Sequence, residues 1–457
     1  MNEKNFSNDI FKVMRLNAAG IDIASGMHYV AVPADRDSES IRKFGSFTSD
    51  LHEMAAWLQS CGIDTVAMES TGVYWIQPFL VLEEYGFDVY LVNARQIKNV
   101  SGRKSDVKDC QWIQQLHTYG LLNKSFQPDD LTRELRSYIR QRKNLTQGYA
   151  RQVQLMQKAF DQMNIKLHNV ISDITGKSGM LIIESILRGE RDARKLAGLA
   201  DGRIKASRED IVKSLQGIWR EDNLFELGQA FELYRVFLSK IGECDTRIEQ
   251  VLKKIADNIR NDGDNNTPIA AGKPAKGKRK ANGKNRFNFN ATPRLNKIAG
   301  IDLTEIFGIS ELTVTEIIAE TGTDMSKWAS EKHFTSWLNL APNTRTSGGK
   351  RLKGKPLHNK NKAGQAFLMA ASTLKRSNNW LGEFYRRIKA KNGPTVAVKA
   401  TARKLAVIFY KMLKEKVSFN PLPLEEYNQY FKERKIKYIY KQADLYGLKL
   451  VPADFVS

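Results

Sequence analysis

The sequence predicts an α/β domain followed by a mostly helical remainder, an α/β plus α architecture. Three observations carry that prediction. Short apolar runs alternate with amphipathic stretches from Ala18 to about Tyr119. From about Leu131 to Asp257 the apolar residues recur at helical spacing amid Arg, Lys and Gln. The 457 residues are too many for one ordinary domain, and a 42% hydrophobic share is enough to build several cores.

The elements follow in order. AAGIDIAS, MHYVAVP and SIRKFGSF read as short strands separated by turn residues. Asp50 to Ser60 reads as a helix, with Leu51, Met54, Ala55 and Leu58 on one face. IDTVAMES is a fourth strand and FDVYLVN a fifth. Between them TGVYWIQPFLVLEEYG reads as a helix, with Pro78 near its start or at a kink. The order βββαβαβα resembles the ribonuclease-H-like fold, in which strand ends deliver metal-binding carboxylates.

Beyond this first domain (17–125), two long amphipathic stretches flank a shorter helical insert at about Asp173 to Leu215. They predict a helical or coiled-coil arm over 130–257. Residues 258–294, rich in Gly, Asn, Pro and Lys, read as a basic flexible linker, either a solvated tether or a phosphate-tracking one. A second compact, mostly helical region covers 295–416, and a Tyr/Lys-rich tail, expected to be helical, covers 417–457. Within the second region Ile298 to Gly322 has the pattern of a helix-hairpin-helix element, whose amides can grip phosphate, and its Leu312, Ile317 and Ile318 equally suit a core.

The net charge of +22 calls for a polyanionic partner, because neutralising phosphates releases counterions. A spanning segment is not expected, since no apolar run approaches the roughly 20 residues it needs. The N-terminus lacks the apolar stretch of a secretion signal. Cys61, Cys110 and Cys244 form no Cys-x-x-Cys pair. A reducing, bacterial-type cytoplasm and association with the nucleoid are therefore expected.

Chemistry concentrates in two places. Asp22 and Glu69 end apolar runs, while Asp106 and Asp109 open a helix three positions apart and share a face. Carboxylates gathered at strand ends are suited to Mg²⁺ or Mn²⁺, which take hard oxygen ligands. Arg103 and Lys104 precede them and could touch a phosphate. Any one of these acids alone would read as a helix cap or a solvated carboxylate. The second place is LNLAPNTRTSGGKRLKGKPLHNKNKAG, where Ser347 precedes two glycines and Arg345, Lys350, Arg351, Lys353 and Lys355 surround it. By its chemistry alone this is either a flexible DNA-contacting loop or a nucleophilic serine whose phosphate is neutralised by neighbouring cations.

GIDIAS, AMESTGVYW, VNARQIKNVSGRKSDVKDCQWI and the Ser-Gly-Gly block, in this order, resemble the DEDD transposases of insertion sequence family 110, relatives of the Piv-type DNA invertases. The resemblance implies a RuvC-like domain, a coiled-coil arm and a C-terminal transposase domain. It places the four acids at Asp22, Glu69, Asp106 and Asp109, and a serine that joins covalently to DNA at Ser347. It also implies action on double-stranded donor and target DNA, guidance by a structured RNA, and a dimer or tetramer with a composite site between subunits. Cys110 stands where relatives more often have Ala, and KPLHNKNKAG replaces their usual run after the serine. The rival readings are a resolvase-like nuclease in which water attacks, and a non-catalytic RNA-binding scaffold.

Overall fold

In the computed structural model, the described residues are 13–70, 72–93, 97, 106–261, 285–342, 344–353 and 361–450, with the side chains at 106, 260, 261, 344–346 and 351–353 excepted. Arg103, Lys104, Lys355 and most of the basic linker lie outside them. The chain divides into two compact units, Met1–Gln127 and Pro128–Ser457.

The first unit is built on one mixed sheet. β1 (Ala18–Ile23), β2 (Met27–Ala31) and β3 (Ile41–Gly45) run as an antiparallel meander. After α1 (Thr48–Ser60), β4 (Thr65–Glu69) joins β1 in parallel, and after α2 (Ile76–Glu84), β5 (Asp88–Val92) joins β4 in parallel. The order is β3-β2-β1-β4-β5. Pro78 occupies the third helical position of α2, where its missing N–H costs nothing. The switch from antiparallel to parallel at β1 follows from chain length: short connections without helices link the first three strands, whereas parallel strands need a helical crossover.

Strand alternation gives the sheet two faces. Ile21, Ile23, Met68 and Leu91 are buried against Met54, Leu58, Phe79 and Leu82 of α1 and α2. The other face carries Ala67 and Val92, covered by Ile113 and Leu116 of α3 (Asp106–Thr118).

The second unit begins with α4 (Asp130–Gln162), which starts at the Asp129 cap, whose side chain accepts from the Thr132 N–H at 2.9 Å. Short helices α5 (Leu167–Val170), α6 (Lys177–Leu187), α7 (Ala193–Gly198) and α8 (Arg208–Ser214) follow, then α9 (Glu221–Asn261). Lys254 faces Glu134, Asp245 faces Arg142 and Tyr234 faces Tyr149. Numbers fall on one helix as they rise on the other, so α4 and α9 are antiparallel. At one end of the pair the short helices pack on it through Phe160, Ile182, Ile186, Leu227 and Phe231. Toward the other end, Arg142 is buried: its Nε donates to Asp245 Oδ1 at 2.6 Å, and its Nη atoms donate to Asn285 Oδ1 at 2.9 Å and Arg286 O at 2.8 Å.

α10 (Thr292–Ala299) ends at Gly300, whose φ of 70° is the left-handed stop that favours glycine. A tight turn follows, and Ser310 caps α11 (Glu311–Thr321) by accepting from the Thr313 N–H. Arg140 clasps Glu320 of α11 through Nε and Nη2 at 2.8 and 2.9 Å, fixing this helix to α4. α12 (Glu331–Trp337), the hairpin β6 (Thr344–Ser347) and β7 (Lys350–Lys353), α13 (Lys362–Thr373), α14 (Trp380–Asn392), α15 (Pro394–Glu415) and α16 (Leu424–Leu445) complete the unit. Phe334, Phe367, Phe409 and Tyr410 form its aromatic centre. Among the described residues no helix is long and apolar enough to cross a membrane.

Candidate active site

The carboxylates are placed by register. The parallel pairing of β1 and β4 matches Ala18 with Thr65 and ends at Ile21 with Met68. Asp22 and Glu69 are the next residue on each strand. Neighbouring strands lie roughly 4.8 Å apart and residues in register point the same way. Both acids therefore leave the sheet on the face that bears Gly20 and Ala67, at the carboxyl edge of the parallel strands. Each is half-buried.

Helix α3 crosses this same face, and Gly20 is the reason it can come so close. A Cβ at that position would collide with the backbone of Cys110 and Gln114. Gln114 Nε2 donates to Ala18 O at 3.3 Å, so α3 runs opposite to β1: later helical residues meet earlier strand residues. Its opening residues consequently stand at the edge that carries Asp22 and Glu69. Asp109 is half-buried there, one residue before the buried Cys110. Asp106 opens the helix one turn earlier.

Cys110 reports on this charge environment. Burial pushes its thiol up to about 11, and the negative charges of Asp22 and Asp109 push the same way. It stays a neutral thiol, donating to Val107 O at 3.1 Å. Among the described residues, no three His, Cys, Asp or Glu side chains converge closely enough to hold a metal ion. The Asp106 side chain is outside that set. What the edge offers is donor chemistry, carboxylate oxygens with no competing thiolate, and that suits Mg²⁺ or Mn²⁺ over softer metals.

The far end of α3 is held differently. His117 is fully buried, its Nε2 lying 2.8 Å from Thr65 Oγ1, and the backbone of Met14 and Arg15 donates to Thr118 O. Burial lowers the His117 pKa to about 4, with Arg15 adding to the effect and Asp88 and Asp64 opposing it.

Ser347 closes β6, and the flexible loop expected from its glycines is instead a tight hairpin. Gly348 and Gly349 have φ of 54° and 73°, both left-handed, and Ser347 pairs directly with Lys350. Two left-handed residues between paired strands make the turn that matches strand twist, which explains why both are glycine. Ser347 and Lys350 are exposed and occupy opposed positions on one face. Arg345, Arg351 and Lys353 lie on the hairpin backbone, their side chains outside the described set.

One residue and one pairing that shape these sites were not foreseen in the sequence. Gly20, the close-approach point for α3, was signalled only by a glycine inside a strand. The pairing of Lys350 with Ser347 was signalled by a two-residue Gly-Gly between polar runs.

Residues 19–165 match a family model described as a transposase, the DEDD transposase of IS110, and residues 302–386 match the Transposase IS116/IS110/IS902 family. No curated protein matches the chain. The two family matches show a DNA transposase, an enzyme that takes DNA as its substrate. Within that class the chain belongs to the IS110 family.

Proposed function

We propose that this transposase cleaves and rejoins DNA through a covalent phosphoserine link, with Ser347 as nucleophile and Asp22, Glu69, Asp106 and Asp109 as the metal-holding acids. The observation that carries the reading is the close contact of α3 with Gly20. It sets the start of that helix beside the strand ends that bear Asp22 and Glu69. Mg²⁺ or Mn²⁺ held there would stabilise charge on phosphate oxygens and favour ionisation of an attacking hydroxyl. In the hairpin, Ser347 Oγ attacks phosphorus, the P–O bond to the departing strand breaks, and Lys350 offsets phosphate charge from the opposed position. Attack by a second strand's hydroxyl then releases the serine and rejoins the DNA.

In the same reading the first unit is RuvC-like. The α4–α9 pair acts as a coiled-coil arm that brings copies together as a dimer or tetramer. Residues 298–322 serve as a helix-hairpin-helix grip on phosphate. A structured RNA selects donor and target. Arg103, Lys104, Arg345, Arg351, Lys353 and Lys355 supply further backbone contacts to nucleic acid.

Trapping tests this. Denaturing gels of full-length protein with labelled substrate and Mg²⁺ should show a protein–DNA adduct that Ser347→Ala abolishes. Mg²⁺-dependent cleavage with no adduct would assign attack to water, as in a resolvase-like nuclease. No cleavage in any metal would leave the scaffold reading.

A further inference from the structure

Among the described residues, helix α16 is anchored near its start. Tyr427 is buried beside Trp380, with ring centroids 6.0 Å apart, and the Arg387 guanidinium lies 3.3 Å from the Phe431 ring centroid. From Lys432 to Lys441 every residue is exposed. Among the described tyrosines, Tyr438 is 62% exposed and Tyr446 78% exposed, values unusual for rings this large. Lys432, Arg434, Lys435, Lys437 and Lys441 are interspersed with the rings, against two acids, Glu433 and Asp444, in the span to Tyr446.

The arrangement of these side chains discriminates between partners. An interfacial membrane helix, or one that docks in a protein groove, segregates apolar and charged residues to opposite faces. Here at 100° per residue Tyr438, Ile439 and Tyr440 fall on three different sides, with lysines between them. Such a surface offers flat rings in several directions, each flanked by a cation. That is the chemistry of unpaired nucleic acid: bases stack on aromatic side chains while ammonium groups follow the phosphates. A duplex hides its base faces and would use only the charge.

We propose that the exposed half of α16 is a docking rail for single-stranded DNA, holding a strand freed when this transposase opens its substrate. The proposal rests on the chain's being a DNA transposase. It assigns a role to the C-terminal tail that the acids and Ser347 do not need.

The test compares full-length protein with a Tyr438→Ala/Tyr440→Ala/Tyr446→Ala variant and its Tyr→Phe counterpart. Binding is followed by anisotropy of a labelled oligothymidine about a dozen nucleotides long, near the usual site size for such rails. The Ala variant should bind at least about tenfold more weakly and the Phe variant like the parent, since rings and not hydroxyls do the stacking. Affinity for a duplex of the same length should not change. Unchanged oligothymidine binding by the Ala variant overturns the proposal, as does an equal loss on the duplex. Tighter binding to oligouridine reassigns the surface to RNA and overturns the DNA assignment. Binding to anionic vesicles that the Ala variant loses overturns it in favour of a membrane. A parent protein that binds no DNA would instead count against the transposase reading itself.

Discussion

Asp22 and Glu69 extend from neighbouring strands of a five-stranded sheet packed by helices on both faces, whereas the exposed Ser347 stands at the turn of a two-stranded hairpin. The sheet edge is rigid before any substrate arrives. Its strands are locked by ladders on both sides, and α3 is seated on Gly20 with no room to shift. A lone two-stranded hairpin is marginal in water. The comparison teaches that the two candidate sites differ in support: the strand ends that carry Asp22 and Glu69 are held by ladders and a packed helix, whereas Ser347 rests on the pairing of one hairpin.

Ser347→Ala should have the largest effect, no detectable adduct or strand transfer in the presence of DNA binding close to the parent's by gel shift. Strand transfer by that variant would remove the hairpin from the chemistry. Asp22→Ala or Glu69→Ala should lower Mg²⁺-dependent cleavage by at least about a hundredfold, since each acid both offsets charge and orients the ion. Cleavage that stays near the parent rate would turn the edge into scaffolding.

Stability measurements sharpen the contrast further. Arg142→Met leaves Asp245 buried without its partner and should cost about 3–5 kcal/mol in the urea transition of the second unit. The first unit's transition should not move. Gly20→Ala should do the reverse, lowering the first unit by about 1–3 kcal/mol through overpacking against α3. Its cleavage rate should fall further than its stability, because the helix carrying Asp106 and Asp109 is displaced.

The smallest effect is a pH dependence. His117 has a folded pKa of about 4, below its ordinary 6.5. Between these values the unfolded chain binds a proton that the folded chain does not, so stability rises with pH across this window and is lost on acidification. The first unit should lose about 1–3 kcal/mol between pH 7 and 4.5. His117→Gln should flatten that slope; an unaltered slope in the variant would show that other groups, such as the buried His28, carry it.

Much of the first unit was legible because strand alternation and helical spacing are local signals. The ends of β1 and β4 placed Asp22 and Glu69 without any long-range information. Seating α3 was not legible, because the contact of Gly20 with Cys110 and Gln114 joins segments far apart in sequence. The hairpin was misread for a different reason. Two glycines read as freedom, when their shared left-handed φ made them a fixed turn. Pairs such as Arg142 with Asp245 depend on how α4 slides along α9, which no periodicity specifies.

The Gly348–Gly349 turn carries an arithmetic of its own. Strand residues alternate sides, so adding one residue to each of β6 and β7 would carry Ser347 and Lys350 together to the opposite surface. The reach of that finger can therefore change without turning its serine away only in steps of two rungs.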